Sequence, residues 1–323
     1  QLTKLDTTLK KNRKSYNDAQ KAAAGFSKEA GSFAKLGKTI TASFKKVGVA
    51  IAGAFAARAI ISGIGDMINI FKDFEQAAAD VASILGKTTD ETKDLQNAAK
   101  DLGSTTIFTA TQVQELQKEL AKLGFSEQQI LASTEAILQL AAATGTDLAR
   151  AAEVAASTVK GFGLTASDTQ EVVDVMAKSF SSSALDMEKF ATAMAVVAPV
   201  AKNAGFSIQE TTAQLGILTD RGVDASSAAT ALRNIFLENA KTGRSFSESL
   251  ELINNSSNKS ATALDLFGKR GATVATILAE NSDEAAILAL KLDEAGGAAQ
   301  EMADTQLDTL NGQLKLVTSA WEG

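Results

Sequence analysis

From Phe74 onward, apolar positions recur every third or fourth residue, the spacing of amphipathic helices. They fall in stretches of about 10 to 20 residues divided by short breaks that contain glycine. The stretches open with capping chemistry. Thr88 is followed three residues later by Glu91, Thr109 by Gln112, Ser126 by Gln129, Ser167 by Gln170 and Ser207 by Glu210. In this spacing each side chain satisfies a free amide of the other's first turn. Gly103, Gly124, Gly145, Gly161, Gly205 and Gly222 each follow an apolar run and are expected to close a helix in the left-handed conformation. The pattern predicts a compact bundle of many short helices.

One turn recurs. LGFSEQQILASTEAI at 123–137 echoes AGFSIQETTAQLGIL at 204–218, with Gly161-Phe162-Gly163 as a weaker third instance. In the first two, Phe is expected to staple and Ser to cap the following helix. The spacings are unequal, so this reads as a reused turn rather than a solenoid repeat.

Ahead of the bundle, Val47 to Phe71 (VGVAIAGAFAARAIISGIGDMINIF) is interrupted only by Arg58 and Asp66. It is long enough for a bilayer, but a cation near its middle costs a few kcal/mol on insertion scales (about 2.5–3.5). Gly48, Ala52, Ala56, Ala59 and Gly63 recur every third or fourth position, and such a face lets another helix approach closely. Three readings stay open: a buried helix in an oligomer, a segment that enters a membrane only when released, and a standing span.

Composition agrees with an all-α chain. Of 323 residues 45% are hydrophobic and 5% aromatic, and Pro199 is the single proline. Cys and His are absent, which removes disulfides, thiolate nucleophiles, imidazole bases and the commonest transition-metal ligands. Charge marks a boundary: residues 1–46 hold 11 Lys and Arg against 3 Asp and Glu, and the remainder holds 21 against 35. With Tyr16, Phe26 and Phe33 along it, the basic arm suits anionic lipid or nucleic acid, and also a solvated helix with a few anchors. The start on Gln1 and the unfinished spacing of Leu314, Leu316, Val317 and Trp321 suggest a piece of a longer protein.

The chemistry is sparse. Asp80 with Glu75, and Glu171 with Asp174, read as solvated helix faces rather than catalytic dyads. The glycine pairs Gly161/Gly163 and Gly296/Gly297 lack the strand-turn-helix context and the Lys of a phosphate cradle. Ser181–Ser183 and NNSSNKS at 254–260 read as polar loops without metal-ligand spacing. No catalytic residue, cofactor or metal site is expected.

Between Phe74 and Leu278, several blocks follow one another in order: FEQAAADVASILG, LGSTTIFTATQVQELQKELAKLGFSEQQI, LQLAAATGTDLARAAEVAASTVKGFGLTASDTQEVVDVMAKSF, VVAPVAKNAGFSIQETTAQLGILTDRGVDASSAATALRNIF and LFGKRGATVATIL. This order resembles the N-terminal module of phage tail tape measure proteins, over about two-thirds of the chain. The resemblance implies a noncatalytic ruler in the lumen of the tail tube, present in the virion, assembled in the host cytoplasm and released on ejection. The partners it implies are the tail tube protein, baseplate hub or distal tail proteins, tail assembly chaperones, further copies of itself as a trimer, the host inner membrane, and DNA during ejection. The small-residue face of 47–71 would then pack in a trimer before entering the membrane.

The expected layout is a basic helical arm at 1–46, an apolar helix at 47–72, the tape measure helical module at 73–282 and a C-terminal helical segment at 283–323. One continuous helix of this length would reach only about 480 Å at about 1.5 Å per residue, so the measuring rod is expected beyond residue 323. An α-helical pore-forming toxin with an apolar insertion segment explains 47–71 but not the ordered blocks. A carboxylate enzyme is favoured only by the abundance of Asp and Glu.

Overall fold

The computed structural model describes residues 59–309, with side chains from Asn69, together with positions 312, 315, 316 and 319. The chain divides into two units, 1–66 and 67–323, and the second holds the helix bundle. Among the described residues all regular structure is helical: α1 (Ala59–Ile84), α2 (Lys93–Thr105), α3 (Ala110–Lys122), α4 (Glu127–Thr144), α5 (Leu148–Gly161), α6 (Thr169–Ser182), α7 (Met187–Asn203), α8 (Ile208–Asp220), α9 (Ala225–Thr242), α10 (Phe246–Asn254), α11 (Lys259–Glu280, bent at Gly268), α12 (Ser282–Asp293) and α13 (Ala298–Leu307), with single 3-10 turns at Thr89–Thr92 and Ala166–Asp168.

The boundaries follow from local chemistry. At Thr109/Gln112, Ser126/Gln129 and Ser207/Glu210 both capping bonds form, at 3.0 and 3.2 Å, 2.9 and 3.4 Å, and 2.9 and 3.0 Å. The Thr88 amide and hydroxyl donate to the Glu91 carboxylate. The box expected at Ser167/Gln170 does not form. Ser167 lies inside a 3-10 turn capped by Thr165 and Asp168, and Gln170 donates to Gln139 instead.

Most joints share one three-residue device: a left-handed glycine, one side chain turned inward or along the surface, and a cap. It occurs at Gly86-Lys87-Thr88, Gly124-Phe125-Ser126, Gly145-Thr146-Asp147, Gly163-Leu164-Thr165, Gly205-Phe206-Ser207, Gly222-Val223-Asp224 and Gly243-Arg244-Ser245. At Gly124, where φ is 82°, the amides of Gly124 and Phe125 close back on Ala121 and Leu120, leaving few orphan carbonyls before the next cap begins. The expected third echo thus lies at Gly163-Leu164-Thr165, not at Gly161-Phe162-Gly163. Gly161 and Gly103 are helical residues rather than stops, present because their neighbours are close: a Cβ on Gly103 would lie 2.6 Å from the Ala110 amide nitrogen.

These tight joints fold the chain back and forth into two rows. The odd helices α3, α5, α7, α9 and α11 pack in succession, as do the even helices α4, α6 and α8. The core lies between the rows and includes Leu116, Ile137, Leu140, Met176, Phe190, Leu215 and Phe236. The last two helices then reverse direction along the even row, α12 against α8 and α6, and α13 against α6 and α4. The Ser319 hydroxyl donates to the Thr106 carbonyl, so this return strap reaches the joint before α3.

Of the long apolar helix expected over 47–72, residues 47–58 lie outside the described residues, and no long apolar helix is found among those described. Gly48, Ala52, Ala56 and Arg58 lie outside the described residues, and Ala59 and Gly63 fall on the backbone of α1. That helix does not stop at Phe71. It continues to Ile84 because Phe74, Ala77, Ala78, Val81 and Ala82, at amphipathic spacing, bury one face of its second half. Among the described residues no helix is long and apolar enough to cross a membrane.

Candidate functional site

The return strap is held by one buried carboxylate. Asp174 sits in α6 within VVDVMA, flanked by the buried Val172, Val173, Val175 and Met176, and is 4% exposed. A charge buried this deeply needs partners. It has them at the start of α13: Oδ2 accepts from the Gly297 amide at 3.0 Å and Oδ1 from the Ala299 amide at 2.9 Å, with Gln170 Nε2 at 3.3 Å. A carboxylate at the positive end of a helix satisfies orphan amides and meets a favourable dipole. Asp174 therefore caps a helix more than a hundred residues away.

This corrects the reading of Glu171 and Asp174 as one solvated pair. Glu171 remains at the surface, accepting from Gln209 Nε2 of α8 at 2.6 Å, whereas Asp174 turns inward. Sequence reasoning missed Asp174, although a single acid inside an apolar run was the available signal. Asp80 stays partly exposed and meets Lys118 of α3 at 3.2 Å.

Other charges brace the same architecture. Arg150 of α5 donates to both Glu188 oxygens of α7, at 2.9 and 2.5 Å, and to Glu153 at 2.9 Å. The hydrogen bonds that Arg150 donates to Glu188, then the one it donates to Glu153, raise the guanidinium's pKa, and the Arg150 bonds lower that of Glu188. Arg221 at the end of α8 pairs with Glu284 of α12 at 2.7 Å. The capping carboxylates Glu91, Asp168 and Glu248 are held below the usual range, chiefly by backbone amides of Thr88, Thr165 and Ser245.

Each perturbed carboxylate is accounted for by a cap or an ion pair, and no group of three or more His, Cys, Asp or Glu able to hold a metal occurs among the described residues. What the geometry supplies is a scaffold: two helical rows, a strap and surfaces.

A sequence-family profile described as phage-related minor tail protein matches residues 96–269, from within α2 to within α11. The chain belongs to that family. Among curated relatives of the chain, the tape measure protein of Pneumococcus phage Dp-1 is 31% identical over 231 residues, covering 63% of the chain and 20% of the relative. The probable tape measure protein of Escherichia phage P2 is 26% identical over 234 residues, covering 63% of the chain and 29% of the relative. The resemblance to tail tape measure proteins carried by the blocks between Phe74 and Leu278 is borne out. The chain spans less than a third of the length of either relative. No solved structure matches it. The minor tail protein region takes in most of both rows but ends before the strap helices α12 and α13.

Proposed function

We propose that the chain is the folded, noncatalytic module of a tape measure protein that sets tail length while tube subunits assemble around it, and that leaves the tail on ejection. The family match over 96–269 is the observation that carries this reading. The short capped helices support a division of labour in which this module docks while an extended helical region of the whole protein does the measuring. The partners in this reading are the tail tube protein, distal tail or baseplate proteins and tail assembly chaperones, with DNA passing during ejection. The test is tail length by electron microscopy in phage whose full-length gene carries in-frame deletions in its helical region outside this chain. Tails should shorten by about 1.5 Å per deleted residue. Tails of unchanged length would refute the ruler role.

The finer part of the proposal concerns 47–71. Its small-residue face (Gly48, Ala52, Ala56, Ala59, Gly63) serves as a trimer seam inside the tube, and the same segment enters the host inner membrane on ejection, with Arg58 toward a wet interior. This rests on the residue pattern alone. Ala52→Leu should weaken trimers, because a bulky side chain at a close crossing holds the helices apart. Native mass spectrometry reads the outcome: equal trimer fractions in both proteins would remove the seam.

A further inference from the structure

A groove of about 1050 Å³ opens on the side of the module formed by α8, α9, α10 and α12. Its wall is aromatic: Phe206 stacks on Phe236 at 4.4 Å, and Phe246 meets both edge-on, at 5.3 and 5.7 Å. Two side-chain amides line it, Gln214 of α8 at 7% exposure and Asn239 of α9 at 6%. Ser249 takes one end of the Asn239 amide at 2.7 Å, and the other end has no partner within the protein; nor has Gln214 Oε1. Buried polar atoms left unpaired are uncommon in folded proteins and call for a partner.

The lip adds two features. Leu290 of α12 lines the groove yet is 63% exposed, and Ile287, one turn earlier, is 54% exposed, which extends the apolar path outward. Arg244, on the turn between α9 and α10, and Asp293, at the end of α12, bring opposite charges to the lining, and neither forms an ion pair among the described residues.

A main-chain amide offers the donor and the acceptor that the two unspent side-chain amide ends require, whereas a lone anion or cation would satisfy only one sense. We propose that this groove docks a peptide segment of a partner protein. The segment inserts one bulky apolar side chain beside Phe206 and Phe246, pairs its main chain with Gln214 and Asn239, and carries an acid toward Arg244 and a base toward Asp293. This goes beyond a tail role, because it assigns the module a recognition surface with a sequence preference.

The test pans a displayed library of random nonapeptides against the full chain, then titrates one selected peptide by fluorescence polarisation. Selected peptides should combine a bulky apolar residue with an acid and a base. Gln214→Leu should weaken binding about tenfold or more, and so should Arg244→Glu, with binding to the latter regained when the peptide's acid is changed to Lys, because a charge swap restores a paired interaction. Should Gln214→Leu fail to fold by circular dichroism, the lip variant and its rescue carry the test. Binding indifferent to both variants, or no enriched peptide, would mean a groove filled by water and would overturn the proposal. So would sedimentation showing a wild-type dimer that Arg244→Glu dissociates, since the occupant would then be a second copy.

Discussion

Gly103→Ala lowers stability by about 2–3 kcal/mol, the cost of overpacking a site that cannot give way. Its sign is diagnostic. Gly103 lies inside α2 with helical backbone angles, and replacing a helix-interior glycine by Ala ordinarily stabilises by about 0.5–1 kcal/mol. Here the added Cβ would stand 2.6 Å from the Ala110 nitrogen and 2.8 Å from its Cα, and both are backbone atoms at the first residue of α3. Relief requires α2 and α3 to part, which disturbs the packing of Leu95 and Ala99 against the core. Urea denaturation of the two proteins decides it: a Gly103→Ala midpoint equal to or above the wild type would show that the joint yields without cost.

The second large effect is expected at Asp174. Asp174→Ala removes a buried acceptor from two amides, and a hydrogen bond to a charged group contributes about 1.5–3 kcal/mol. The two bonds share one carboxylate and one helix end, so the loss should be nearer about 3 kcal/mol than their sum. It should also be local at first. Amide hydrogen exchange at Ala299 and Ala303, both buried in α13, should accelerate before exchange at Ile137 or Leu140 in α4 changes. Asp174→Asn keeps one acceptor and should fall between. Exchange in α13 that matches the wild type would sink the clasp, even with a lowered global midpoint.

These two sites also show where the sequence is readable. Caps such as Ser126/Gln129 were legible because both partners lie within one turn of each other, so local spacing determines the bond. Gly124 and Gly205 were legible for the same reason. Gly103 was misread because a glycine needed for close approach and one needed for a left-handed turn look alike until the neighbour across the joint is known. Ser245/Glu248 was legible in principle by the same spacing as the other boxes and was missed. The alternation of odd and even helices could not be read at all, because it depends on contacts between elements two apart. Asp174 was half legible: its apolar surroundings signalled burial, but nothing nearby named Gly297 and Ala299 as partners. Of the candidate site residues, Gly48, Ala52, Ala56 and Arg58 lie outside the described residues, so the small-residue face stands on sequence pattern alone.

The clasp sets a timetable for synthesis. The Asp174 carboxylate and the Ala299 amide are 125 positions apart, so at about 5–20 residues per second the ribosome makes the first roughly 6–25 seconds before the second. Neighbouring helices of a row lie only two elements apart in the chain, and most joints are short, so the rows can pair as they emerge. During that interval Asp174 is a hydrated carboxylate on an uncovered even row, and the desolvation that buries it comes only when α13 arrives. Folding of the nascent module therefore ends with a late docking step, and until that step the faces of α4 and α6 that α13 covers are open to other binders.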